Sequence, residues 1–339
     1  MSHSKRLVSL MVCVLFLPAL LALAGAARER REPATSPQEP AAESAPAVGG
    51  AVRYPLTVVD DQGNAVVILE KPKRIVSLTL FTDEVLLELV DRSRILAVTA
   101  FSSDPAISNV AAKAAGIPNK LSVNVEVVLA LRPDLVFVAN WTEADKVRQL
   151  RDAGIPVFLT ASGLTVPAVQ EKIQTVARIV GEPQQGRQLV TWMSERLEAV
   201  AKKLSAVPKQ KRLSVLDYTV WGSSQGKGSS WDEIVRLAGL VNAAGVLPVD
   251  EWGQVPLSKE KLIELDPDIL ILPGWVYGDS KGADTFFRQT VEDPALRVLK
   301  AVRNKRVYSL PENLKTATSQ YMVLAVERLA RTAYPELFR

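Results

Sequence analysis

Apolar residues recur at Leu189, Met193, Leu197, Val200 and Leu204, the three- and four-residue steps of one helix face. Gly181 closes the preceding segment, and Pro183 sits where a first helical turn tolerates proline. The spacing predicts one unbroken helix over 183–204, about 30 Å long at 1.5 Å per residue, within a connecting segment 182–206. On both sides of it short apolar runs alternate with amphipathic stretches. Before it, LTVVDDQGNAVVIL predicts a hairpin turning at Asp61, Gln62, Gly63 and Asn64. Strands follow over 74–78, 95–99, 135–139 and 155–159, with helices over 82–90 and 143–153. After it come strands over 213–216, 269–272 and 307–310, with helices over 231–237 and 316–333. Strands separated by helices imply parallel-type sheets flanked by helices. The pattern therefore predicts an α/β protein with two lobes, 54–181 and 207–339, joined by a single long rigid helix.

The two halves share more than their class. VNVEVVLALRPDLVFV (123–138) and LSKEKLIELDPDILIL (257–272) align without a gap. In each, a glutamate (Glu126, Glu260) opens a short amphipathic stretch, a Pro-Asp pair follows seven residues later (Pro133-Asp134, Pro267-Asp268), and an apolar strand comes next. KRIVSL from Lys73 and KRLSVL from Lys211 form a second, weaker pair, each with two basic residues leading into a strand. Helix-Pro-Asp-strand joints are common, because proline stops a helix and aspartate suits the turn. The matched glutamates and the common order of both anchors point to two lobes built on one plan.

Composition narrows the chemistry. The 339 residues are 47% hydrophobic and 23% charged, enough for two cores, and the formal charge of +4 comes from scattered residues that form no nucleic-acid stripe. Lys5 and Arg6 precede an apolar run over 7–27 ending Ala24-Gly25-Ala26-Ala27, which reads as a secretory signal or an uncleaved membrane anchor (1–27). Cys13 lies too early in this run, behind bulky Met11 and Val12, for lipid attachment. Residues 28–53, rich in Pro, Ala, Glu and Ser, read as a flexible linker. Because the only cysteine is Cys13 and the only histidine is His3, the rest of the chain has neither. Structural disulfides, Cys/His zinc sites and histidine-dependent nucleophiles are excluded there, and no acidic calcium loop is present. No catalytic residue, cofactor site or metal site is assigned. The run GSSQGKGSS from Gly222 lacks the glycine that a phosphate loop needs before its Lys-Ser/Thr, and no dinucleotide-binding glycine motif follows a strand.

Ligands of open α/β sheets sit beyond the carboxyl ends of the strands. There the sequence places Phe81, Phe101, Trp141, Tyr218, Trp221, Trp252, Trp275 and Tyr277, with Thr79 beside them, in both halves. A tryptophan packed under a loop explains any one of these. Their recurrence in both lobes suggests an aromatic-walled cleft for a large, partly apolar ligand.

The order RIVSLTLFTDEVLLEL, NVEVVLALRPDLVFV, long helix, LSKEKLIELDPDILIL and C-terminal helix resembles the periplasmic binding proteins for vitamin B12, ferric siderophores and haem, over residues 54–338. The resemblance implies a monomer outside the cytoplasm, periplasmic or on the outer face of the membrane. It would capture an iron complex or a cobalamin-like corrinoid between its lobes and deliver it to an ABC permease and ATPase. It also implies that Glu126 and Glu260, one per lobe, dock onto arginines of the two permease subunits. Helix-starting glutamates that complement the helix dipole are the structural alternative. Trp141 and Trp252 lie within about two residues of aromatic contacts in similar corrinoid binders, and Tyr218 or Tyr277 could offer a phenolate to haem iron. Corrinoid, siderophore and haem stay open, with a lean toward a neutral, ring-containing chelate. A ligand-binding sensory module without a permease is the main alternative. An extracytoplasmic enzyme would need a paired acid and base that the sequence does not show.

Overall fold

The computed structural model describes residues 51–251 and 253–339; the apolar run 1–27, most of the linker and Trp252 lie outside the described residues. The chain opens with an antiparallel hairpin, β1 (Leu56–Val59) and β2 (Ala65–Ile68), whose buried and exposed positions alternate along both strands. Asp60 shapes its turn by accepting from the backbone N–H groups of Gln62 (3.0 Å) and Asn64 (2.9 Å), and Gly63 supplies the positive φ of 84°.

The first lobe is a five-stranded, wholly parallel sheet. Its strands β3 (Ile75–Leu78), β4 (Ile95–Thr99), β5 (Asn119–Leu121), β6 (Leu135–Ala139) and β7 (Val157–Thr160) run in the order β5-β4-β3-β6-β7. The second lobe holds β8 (Ser214–Asp217), β9 (Ser223–Gln225), β10 (Val241–Asn242), β11 (Gln254–Pro256), β12 (Ile269–Pro273) and β13 (Val307–Leu310). Four of these form a parallel sheet in the order β10-β8-β12-β13, and β9 pairs with β11 in a separate antiparallel ribbon. The inner strands β3, β6 and β12 are buried on both faces, which is why they read as unbroken apolar runs rather than as alternation.

The repeat seen in the sequence is structural. In each lobe the strand after the Pro-Asp pair, β6 or β12, lies beside the strand that opens with the basic pair, β3 or β8. The two aspartates stitch those neighbours together. Asp134 accepts from the backbone N–H groups of Lys73 (2.7 Å) and Arg74 (2.9 Å), and Asp268 from the N–H (2.8 Å) and hydroxyl (2.9 Å) of Ser214. The residue before each proline, Arg132 and Asp266, turns into the left-handed region.

A single 22-residue helix, Pro183–Leu204, joins the two sheets. Its buried residues Gly186, Met193, Val200 and Leu204 form one stripe, with Leu189 and Leu197 partly buried beside it. Gly186 admits the neighbouring helix Val166–Ile179 at close range; a Cβ there would stand 2.4 Å from that of Ala177. The 166–179 helix was not anticipated, although Thr165 as its cap, a proline in its first turn and apolar residues at 166, 169, 173 and 176 mark it. The closing helix is shorter than expected, Met322–Ala333, because residues 316–321 turn between it and the separate helical turn Glu312–Lys315.

Each sheet packs one face on a private core, around Val136 in the first lobe and Leu270 in the second. The other faces share one core. Ile75, Phe137 and Ile173 of the first lobe are continuous there with Met193 of the connecting helix and with Val215, Trp231 and Met322 of the second. The lobes are thus fused along their helical side as well as joined by the strut.

Candidate ligand cleft

All strands of both main sheets run parallel, so each sheet sends its loops out at one edge. The loops leaving the carboxyl ends of β4 and β13 meet: the Asn313 N–H donates to the Ala106 carbonyl at 3.0 Å, and the Asn109 amide to the Asn313 carbonyl at 2.8 Å. The carboxyl edges of the two lobes therefore face one another, and residues just beyond them line the space between.

The anticipated aromatics divide into two groups. Phe101, Trp141, Trp221 and Tyr277 are 55%, 73%, 83% and 77% exposed, standing on loops after β4, β6, β8 and β12. Trp275 is half-buried and packs edge-on against Tyr277, with ring centroids 5.8 Å apart. Large aromatics left in water in both lobes present a broad apolar rim.

The other described residues of the anticipated set, Thr79, Phe81 and Tyr218, are parts of the framework. Thr79 caps the helix Leu80–Leu89 by accepting from the Thr82 N–H at 3.0 Å, and its hydroxyl is engaged with that of Thr82 at 2.8 Å. Phe81, in the first turn of that helix, is buried in the shared core rather than in a loop. Tyr218 is also buried, its ring 5.7 Å from that of Phe286, and desolvation pushes its phenol above the usual range. That disfavours a Tyr218 phenolate as an iron ligand. Among the described residues no group of acidic, histidine or cysteine side chains is placed to hold a metal ion.

Buried carboxyls at the strand ends are a feature that sequence reasoning missed. Asp83 is fully buried one turn beyond β3. Its Oδ2 accepts from the Thr99 N–H (3.0 Å) and hydroxyl (2.6 Å), and burial raises its pKa to about 7. Asp217, the last residue of β8, accepts at Oδ1 from the Ser224 hydroxyl (2.7 Å) and Gln225 N–H (3.0 Å). Burial raises its pKa too, opposed by the charge of Lys315. Lys315, itself buried, pairs with Glu312 at 3.3 Å. A polar residue closing an apolar strand, as Asp217 does in SVLD, is the only hint in the sequence.

The repeated glutamates occupy equivalent, exposed positions. Glu126 lies in the first turn of Val125–Ala130, capped by Asn124, and Glu260 in the first turn of Lys259–Leu265, capped by Ser258. Hydrogen bonds from Ser258 and from its own backbone hold the Glu260 carboxyl below the usual range.

Two parallel α/β lobes on one connecting helix, with an aromatic-rimmed gap between their carboxyl edges, define a two-lobed solute-binding protein. Residues 75–314 match the periplasmic binding protein family, and the chain belongs to it. It is thus a substrate-binding protein rather than an enzyme. It is 26% identical over 294 residues to the uncharacterized ABC transporter substrate-binding lipoprotein YvrC of Bacillus subtilis, covering 84% of this chain and 88% of that one. It is 30% identical over 242 residues to a cobalamin-binding protein of Halobacterium salinarum, covering 70% of this chain but 63% of that longer one. Its fold superposes on molybdate-bound MolA of Haemophilus influenzae with a TM-score of 0.69, at 21% identity over 84% of this chain and 92% of that one.

Proposed function

We propose that this protein captures a metal chelate, an iron complex or a cobalamin-like corrinoid, between its lobes outside the cytoplasm and hands it to an ABC permease and its ATPase. The observation that carries this reading is the set of exposed aromatics on both facing edges, Phe101, Trp141, Trp221 and Tyr277, on a frame of the periplasmic binding family. An aromatic rim buries the flat, apolar faces of a macrocyclic chelate far better than it would a small, strongly hydrated ion. The cobalamin-binding relative, at 30% identity, supports the corrinoid among the candidates, and the raised phenol of Tyr218 counts against haem iron held there.

Thr79, Phe81, Phe101, Trp141, Tyr218, Trp221, Trp252, Trp275 and Tyr277 are the proposed ligand-binding set. Phe101, Trp141, Trp221, Trp275 and Tyr277 supply contact surface, while Thr79, Phe81 and Tyr218 shape the loops behind them. Glu126 and Glu260 are the proposed docking pair, one acidic residue per lobe for a permease with two like subunits. Residues 1–27, as signal or anchor, and 28–53, as linker, keep the protein outside the cytoplasm with lobes 54–181 and 207–339 joined by 182–206.

Tryptophan fluorescence of the purified full chain, titrated with cyanocobalamin, haemin and ferric siderophores and corrected for inner-filter absorption, tests the reading. Saturable quenching with one of them at a Kd of about 1 μM or tighter, near −8 kcal/mol, is the expected result. Linear, non-saturating responses to the whole panel would overturn it.

A further inference from the structure

The cleft floor of the second lobe carries two carboxyls and one ammonium, with Asp217 and Lys315 removed from water and Glu312 partly so. Asp217 is fully buried at the end of β8; Glu312 and Lys315 lie in the helical turn just beyond β13, and Lys315 is buried as well. Asp217 Oδ1 is tied to Ser224 and Gln225, and Glu312 Oε1 to Lys315, which leaves Asp217 Oδ2 and Glu312 Oε2 without partners. The charges of all three act on one another. Across the gap Asp83 is a further fully buried carboxyl. These oxygens present no surface to a ligand, so the cluster acts on the cleft through its charge rather than by contact.

We propose that Asp217 and Glu312, balanced by the single ammonium of Lys315, set the charge selectivity of the cleft through their field, favouring a neutral chelate and opposing anionic chelates. The proposal rests on the function proposed above and names which ligand class that site takes. With two carboxyls to one ammonium, the cluster holds either a net negative charge or a retained proton, and neither offers an anion the positive field it needs. Because the groups are buried, salt screens their field weakly, and it acts on a ligand above the floor without direct contact to every residue. The peripheral primary carboxamides of a corrinoid are uncharged, whereas catecholate oxygens and haem propionates bring negative charge into the field of the cluster.

The test compares two probes, cyanocobalamin and a ferric tris-catecholate siderophore, by isothermal titration of the full-length protein. Wild type is expected to bind cyanocobalamin at least about tenfold tighter than the tris-catecholate. Asp217→Asn with Glu312→Gln leaves the Lys315 charge uncompensated and is expected to shrink that ratio by about tenfold or more, through a gain in tris-catecholate binding. Glu312→Gln alone, on a partly exposed turn, is expected to shrink it by about threefold and carries the test should the double variant not fold. A wild type that prefers the tris-catecholate, or a ratio unmoved by either variant, overturns the proposal and leaves a chelate-binding function standing. Failure of wild type to bind either probe or haemin would remove that function and the proposal together.

Discussion

Asp83 stores a pH dependence that can be read in the stability of the whole protein. Its carboxyl has the side-chain position of a helix first turn but no access to water, and hydrogen bonds from Thr99 and Ser77 only partly offset that burial. Burial moves its pKa from 3.8 to about 7, which is about 4 kcal/mol between the protonation states. The folded protein therefore holds this proton more tightly than the unfolded chain does. The resulting stabilisation is complete below pH 3.8 and is lost as pH rises through 7, a change of about 4 kcal/mol in total. Glu84, Asp217 and Glu312 are shifted the same way by burial, so wild-type stability carries several such slopes. The difference between wild type and Asp83→Asn isolates one of them. Asparagine keeps an acceptor for Thr99 and cannot titrate. Urea unfolding followed by tryptophan fluorescence at several values between pH 4 and 8 gives the two curves. Relative to wild type, the variant should gain about 4 kcal/mol across that range, most of it between pH 4 and 7. Parallel curves would show that Asp83 does not keep its proton in the folded state, and the account of that site would fail.

Four other outcomes follow from the same geometry. Gly186→Ala places a methyl 2.4 Å from the Ala177 Cβ and should cost about 1–3 kcal/mol in thermal unfolding, even though alanine is the better helix former. Trp141→Ala and Trp221→Ala remove exposed side chains, so stability should stay within about 0.5 kcal/mol while the Kd for the chelate rises roughly five- to a hundredfold. Reversing both Glu126 and Glu260 to lysine should leave ligand titrations unchanged, because the exposed carboxylates do not hold the fold, and on the proposed docking role it should abolish chelate uptake by cells. Glu84→Ala strips an acceptor from the Asn109 N–H, the Asn109 amide and the Ser319 hydroxyl, and calorimetry should show a loss of about 3 kcal/mol.

The sequence exposed what depends on local period and spacing. The connecting helix, the strands Ile95–Thr99, Leu135–Ala139 and Val307–Leu310 and the doubled glutamate-Pro-Asp segment lie where their patterns put them. Residues whose role is set by distant partners were not legible. Phe81 looked like a loop aromatic because it follows β3 closely, but the Thr79 cap starts a helix at once and turns its ring into the core. The strands Asn119–Leu121 and Val241–Asn242 are too short to show a period and exist only by pairing with β4 and β8. The carboxyl-ammonium cluster joins residues nearly a hundred positions apart, at Asp217 and at Glu312 with Lys315, and no local pattern brings them together.

The same long-range contacts bear on how the cleft works. A single helix between lobes would permit a wide swing were it the only bond between them. The shared core and a polar seam oppose that swing. Glu84 and Glu88, on the helix Leu80–Leu89, reach residues 319–321 of the other lobe. Ser319 donates to Glu84 Oε2, the Gln320 amide donates to the Glu84 carbonyl at 2.8 Å, and the Tyr321 hydroxyl donates to Glu88 Oε1 at 2.7 Å. Opening the lobes by tens of degrees would expose Trp231 and Met322 and leave a buried carboxylate without donors, at a cost comparable to the whole stability of a domain. Motion between the lobes is therefore confined to small rotations that keep the seam intact. A cleft that barely closes cannot wrap its ligand, so affinity has to come from surfaces already in place. On the proposed function, the exposed Trp141, Trp221 and Tyr277 on the rim are those preformed surfaces.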